Sequence, residues 1–325
     1  MITDVHRHFV PEAFFDFVKS RQDFQVILKR EEGEIIDVDI RGTHFGLNKT
    51  FFDLPRQVER MKREGVERSI LSLATPFINY DLDASVMVPT ARQFNDAIAA
   101  AIAGREKQFR AWAFLPMQDP GAAAEELVRC VRELRFVGGH VASNVRGVYL
   151  HDAQFEPIYR AALDLDVPLF VHPADPPGKE RTSEYELTVV AGYLFDNTIN
   201  ILKMVCSGFL DRWPRLKLVC AHTGAFSLVL RARMQREVDT NVHLSGTLKA
   251  SVGDYLRRLY FDTICFDPAI LQFAASAVPV EHLLMGSDAP FPLGEPEPVS
   301  FVRKALPTDQ ADAVMRRNFD RLVGA

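Results

Sequence analysis

Cysteine is scarce in this sequence: Cys130, Cys206, Cys220 and Cys265 are the only four, far apart and without a CxxC pair. That spacing excludes a disulfide framework, a zinc finger and a dithiol redox motif, and it fits free buried thiols in a reducing, cytoplasmic setting. Long apolar runs are missing too, since none approaches the ~20 residues a membrane helix needs. The N-terminus reads Met-Ile-Thr-Asp, with no basic stretch leading into an apolar one, so no secretory leader is expected. There is no dense Lys/Arg stripe, and a formal net charge of −5 argues against a nucleic-acid partner. No GxGxxG follows any apolar run, which weakens the runner-up reading, a doubly wound open sheet binding a dinucleotide.

What is present is a globular composition, 47% hydrophobic and 25% charged, with short apolar runs that keep returning. They fall at 2–9, 68–75, 109–117, 136–143, 167–173, 216–224, 258–265 and 282–291, which makes eight. Segments of helical period separate them, such as "FDLPRQVERMKREGV", "GAAAEELVRCVRELR" and "PAILQFAASAV". Runs rich in Val, Leu, Ile and Phe suit strands buried on both faces. Eight strand–helix units without a polar linker predict one domain over 1–325, an α/β (β/α)8 TIM barrel. Two stretches exceed the minimal barrel, residues 10–56 and 174–200, and both read as long loops after strands 1 and 5.

Barrel strands are apolar except where they reach the catalytic rim at their C-terminal ends. The exceptions here fall at those ends. His6 and His8 lie on the first strand, His172 ends the fifth, His222 the sixth and Asp288 the eighth. The i, i+2 spacing puts His6 and His8 on one face, and Arg7 on the other. Three imidazoles and one carboxylate suit a divalent ion, Zn²⁺ first, with Mn²⁺ or Fe²⁺ as alternatives. The remaining histidine would be free to move a proton. His140, within the fourth strand, reads equally as a core residue or a pocket residue, and His44 is a candidate substrate contact in the first loop.

These residues, in this order, resemble the amidohydrolase superfamily, and within it the aminocarboxymuconate-semialdehyde decarboxylase-like branch. "DVHRHFVPE" resembles the branch's DxHxHxxP opening, and "LDVPLFVHPAD" its fifth-strand histidine. "GFLDRWPRLKLVCAHTGA" resembles its (D/E)xxPxLK…AHxGG stretch, and "GSDAPFPLGEPEP" its closing GxDxPFPLGExEP. The resemblance covers nearly the whole chain. It implies one metal held by His6, His8, His172 and Asp288, with His222 and Asp288 as the catalytic residues and His222 as acid/base. It also implies that Arg233 holds a substrate carboxylate across a homodimer interface, that Arg181 assists from the fifth loop, and that Phe291 lines the pocket. The fourth run, "FVGGHVAS", offers no lysine for a carbamate bridge, which agrees with one metal.

The sequence also departs from that branch. Asn48, followed by Lys49, falls where the family keeps a first-loop substrate arginine, and Ala174 and Glu186 fall where the semialdehyde decarboxylase keeps tryptophans. The expected reaction is therefore decarboxylation of a hydroxybenzoate-like or unsaturated carboxylic acid, without carrying over the branch's named substrate. The alternative is hydrolysis or hydration of a small amide, lactone or unsaturated acid by the same metal.

Overall fold

Eight parallel strands form one sheet in chain order: β1 (Thr3–His8), β2 (Arg68–Ser72), β3 (Phe109–Phe114), β4 (Gly138–Ala142), β5 (Leu169–His172), β6 (Leu218–Cys220), β7 (Tyr260–Asp262) and β8 (Leu283–Leu284). The computed structural model describes residues 1–32, 35–40, 43–244 and 246–324, with the backbone alone at 28–32, 43–45 and 76. The sheet closes between its first and last strands. Val5 donates its N–H to Met285 at 2.9 Å, His8 to Ala289 at 2.7 Å, and Asp288 to His6 at 2.8 Å. This is the (β/α)8 barrel expected from the eight apolar runs, each of which supplies one strand.

Helices cover the outside, and several start on the same device. Asp53, Asp119 and Asp267 cap the helices Leu54–Glu64, Pro120–Arg132 and Pro268–Ala277 by accepting a backbone N–H, each with proline in the first turn. The carboxylate satisfies an orphan donor, and the proline's fixed φ suits a position where its missing N–H costs nothing.

The barrel interior is apolar at its N-terminal end. Val5, Ile70, Trp112, Val137, Phe170, Val219 and Leu284 pack there against Phe319 and Leu322 of the helix Asn318–Val323. Trp112 satisfies its indole N–H on the Val5 carbonyl at 2.9 Å. Gly138 permits this packing, since a Cβ there would lie 2.1 Å from the Pro168 carbonyl oxygen and 3.0 Å from the Trp112 ring. The opposite end is left to polar side chains.

The stretch 10–56 is more ordered than a long loop. It contains the helix Glu12–Ser20 and a three-stranded antiparallel sheet of Val26–Glu32, Ile35–Ile40 and Thr43–Asn48. Val38, Ile40 and Leu47 of that sheet are buried. The stretch after β5 is looser, with the short helical turns Lys179–Thr182 and Thr188–Gly192 before the helix Tyr193–Cys206. Cys130 and Cys220 are buried as expected, whereas Cys206 and Cys265 are only half-buried; all four are free thiols. Among the described residues no helix is long and apolar enough to cross a membrane.

Candidate metal centre and active site

At the C-terminal rim the polar side chains converge. His6 and His8 point inward from β1, and the Nε2 atoms of their rings are 3.1 Å apart. Asp288 Oδ1 lies 3.0 Å from His8 Nε2 and 3.4 Å from His6 Nε2. The His172 ring centre is 5.0 Å from that of His6 and 5.3 Å from those of His8 and His222. His222 Nε2 lies 3.6 Å from Asp288 Oδ2. Ligand atoms from His6, His172, His222 and Asp288 all fall within 4.8 Å of one another.

Arg7, between the two β1 histidines, turns into the layer between barrel and helices. It is fully enclosed there, donating to Asp4 Oδ2 at 2.9 Å, to Gln57 Oε1 at 3.1 Å and to Glu64. Gln57 donates in turn to the His8 carbonyl at 3.0 Å, so the strand carrying both histidines is held from behind.

The outward-facing ring nitrogens show that this donor set fits a metal. His6 Nδ1 pairs with Asp262 Oδ2 at 2.7 Å, His8 Nδ1 with the Leu73 carbonyl at 3.2 Å, and His172 Nδ1 with the Pro173 carbonyl at 2.9 Å. Carboxylate and carbonyl oxygens only accept, so each Nδ1 carries a proton and each Nε2 presents a lone pair to the centre. Lone pairs and a carboxylate aimed at one point repel each other unless a cation lies among them.

The electrostatics make the same demand. Burial disfavours a charged His6, yet Asp288 and Asp262 outweigh it and push the His6 pKa up to about 10. Burial lowers the His8 pKa despite the pull of Asp288, and burial with the neighbouring imidazoles holds His172 well below the usual histidine range. Asp288 stays far below the usual carboxylate range: burial opposes this, but the positive charge drawn onto His6 and the close approach of His222 and His8 prevail. The cluster calls for positive charge at its centre, and a dication supplies it while leaving the imidazoles neutral.

His222 and Asp288 are the open side of this otherwise enclosed cluster, each with 13% of its side chain exposed. The histidine stands on a tight turn after β6, where His222, Thr223, Gly224 and Ala225 all have positive φ. Gly224 is required there, because a Cβ would lie 2.5 Å from the Phe261 ring. His222 Nδ1 has no hydrogen-bond partner among the described residues.

The expected substrate contacts are more dispersed. Phe291 meets His8 edge-on, its ring centre 5.1 Å away, and packs on Phe51 at 4.8 Å. Arg181 and Arg233 are exposed and have no ion-pair partner among the described residues. Asn48 uses its side-chain oxygen to accept the Thr50 N–H at 2.8 Å. It lines a cavity of about 660 Å³ with Thr50, Arg63 and Arg105, and none of the cluster residues borders that cavity. The His44 backbone pairs with Asp39, and its side chain lies outside the described residues. His140 faces the interior, its ring centre 5.7 Å from that of His172. One residue was missed from sequence: Asp262 at the end of β7. Its signal was the same as for Asp288, a carboxylate closing an apolar strand.

A barrel whose rim presents imidazoles and a carboxylate to one point defines a metal-dependent barrel enzyme. The chain belongs to the amidohydrolase family, whose sequence model (Amidohydro_2) matches residues 3–324. It is 32% identical over 252 residues to a gamma-resorcylate decarboxylase of Polaromonas, covering 73% of this chain and 76% of the relative. It is 27% identical over 250 residues to a 2-amino-3-carboxymuconate-6-semialdehyde decarboxylase of Dictyostelium discoideum, covering 77% of this chain and 70% of the relative. In fold it matches a 5-carboxyvanillate decarboxylase of Novosphingobium aromaticivorans, solved with bound manganese, at a TM-score of 0.83 and 20% identity, covering 100% of this chain and 97% of the other.

Proposed function

We propose that this protein is a metal-dependent carboxy-lyase that removes CO2 from a hydroxybenzoate-like or unsaturated carboxylic acid. The observation that carries the reading is the cluster itself: three histidines with outward-anchored Nδ1 atoms, one carboxylate, and His222 at the opening. The decarboxylase relatives support it. His6, His8, His172 and Asp288 would hold the ion, zinc or manganese, both of which accept a mixed nitrogen and oxygen donor set. When bound, the ion supplies a Lewis acid for a substrate oxygen.

The remaining steps belong to the chain. Breaking the bond to the carboxylate leaves an electron pair on carbon, and a proton delivered to that carbon takes it up. His222 is placed to deliver it, being partly exposed and beside the donor cluster. Phe291, against His8, would form an apolar wall for the substrate ring. Arg181 and Arg233, which have no ion-pair partner among the described residues, would hold the carboxylate until it leaves. For Arg233, on the helix Ser227–Thr240, the reading includes a second copy of the chain, because Val229 of the same helix is apolar and 63% exposed. Free thiols support a reducing compartment, such as the cytoplasm, as the enzyme's setting.

The test is a screen of hydroxybenzoates and unsaturated dicarboxylates with metal-loaded protein in ¹⁸O-water. Release of CO2 with the remaining skeleton intact supports the proposal. Opening of amides or lactones, or ¹⁸O in the product without CO2 release, overturns it in favour of hydrolysis or hydration.

A further inference from the structure

Asp262 ends β7 and is fully enclosed, yet its carboxylate touches three elements that are far apart in sequence. Its Oδ2 accepts from the His6 ring Nδ1 at 2.7 Å and from the His222 backbone N–H at 2.9 Å. Its Oδ1 accepts from the Thr223 N–H at 2.8 Å and the Ile264 N–H at 3.1 Å. Thr223 Oγ1 returns a bond to the Asp262 carbonyl at 3.2 Å. The carboxylate thus receives four donors, one from a member of the metal cluster and two from the turn that presents His222.

That turn is intrinsically unfavourable. His222 and Thr223 have φ of 57° and 53°, a region that residues with a Cβ rarely occupy. Consecutive backbone N–H groups of a turn can line one concavity that binds an anion. Here the anion is the Asp262 side chain, and the strained turn persists because the carboxylate fills the concavity. The same carboxylate can only accept from the His6 ring, which fixes the proton on Nδ1 and leaves Nε2 as the donor to the centre. We infer that Asp262 is a positioning residue for both parts of the site, setting the His6 ring and the His222 turn from a single side chain.

The inference rests on the reading that His6 holds a divalent metal. Asparagine at 262 keeps the shape but has one accepting oxygen and one NH2 group. Either His6 or the turn then faces a donor in place of an acceptor. The experiment compares wild type with Asp262→Asn, full length, using Zn²⁺ as the probe. Zinc affinity is measured by competition with a chromophoric chelator. In parallel, ¹⁵N-histidine labelling reports the His6 ring and the His222 backbone amide, assigned with single His6→Gln and His222→Gln variants.

The expected result is zinc affinity weaker by about 10- to 100-fold, with both the His6 ring and the His222 amide signals moved and the circular dichroism unchanged. Affinity within about twofold of wild type, with the His222 amide in place, overturns the role of Asp262. A merely structural residue would lower the melting temperature without moving those two signals together. Should Asp262→Asn fail to fold, zinc-loaded wild type decides the matter. A downfield, slowly exchanging His6 Nδ1–H supports the inference, and zinc on Nδ1 overturns it. Wild type that binds no zinc or manganese instead overturns the metal reading itself, so the two failures are distinct.

Discussion

His8 Nε2 lies 3.0 Å from Asp288 Oδ1, although 280 residues separate the two in sequence. A neutral ring and a carboxylate at that distance suit two ligands of one cation. Asp288→Asn keeps the side-chain shape and removes the charge. The expected outcome is metal content at least about tenfold lower after dialysis, measured by elemental analysis on folded protein. Full metal retention would remove Asp288 from the ligand set.

His222 gives the complementary outcome. His222→Ala leaves His6, His8, His172 and Asp288 in place, so metal stoichiometry should match wild type. CO2 release should fall by about 100-fold or more, the usual contribution of general acid–base catalysis. Parallel loss of metal and activity would make His222 a ligand in place of a proton carrier.

Behind β1, the fully enclosed Arg7 guanidinium faces Asp4 and Glu64. Arg7→Met fills the space but leaves the buried Asp4 carboxylate without a cation and Glu64 with Arg60 alone. The expected cost is about 3–5 kcal/mol, read from the urea midpoint at unchanged m-value. A loss under about 1 kcal/mol would show that the acids find other partners or take up protons at no cost.

Asp196 adds a pH dependence. It is buried against Ser143, Asn144 and Tyr149, and burial raises its pKa from 3.8 to about 6 despite hydrogen bonds from all three. A carboxyl raised on folding binds its proton more tightly in the native state. Its contribution to stability is therefore fully present below pH 3.8 and is lost as pH rises towards 6. The loss amounts to roughly 3 kcal/mol from a shift of that size. The stability of wild type minus that of Asp196→Asn should fall across this window. A flat difference would show that Asp196 titrates alike in the folded and unfolded chain.

Much of this architecture is legible from local chemistry. Each apolar run between turn residues became one strand of the barrel, since a strand buried on both faces must be apolar along its length. The histidines and Asp288 stood out because they interrupted such runs at the rim. The sheet of Val26–Glu32, Ile35–Ile40 and Thr43–Asn48 was not legible. The run "VILKREE" passes from apolar to charged without alternating, and its pairing depends on partners the sequence does not mark. Asp262 was missed for a related reason: its four donors come from β1, the β6 turn and its own loop, and only the closed barrel brings them together. Arg181 and Arg233 have positions on the surface but, among the described residues, no ion-pair partner that fixes where their charges go.

The seam between β1 and β8 is also where the donor cluster is completed, because Asp288 donates its backbone N–H to His6 at 2.8 Å. A growing polypeptide presents His6 and His8 long before Asp288. Until the final strand docks, the ribosome-bound chain can offer the histidines but not the carboxylate that meets them. A metal held by His6, His8 and Asp288 together would then be captured only once β8 has docked on β1.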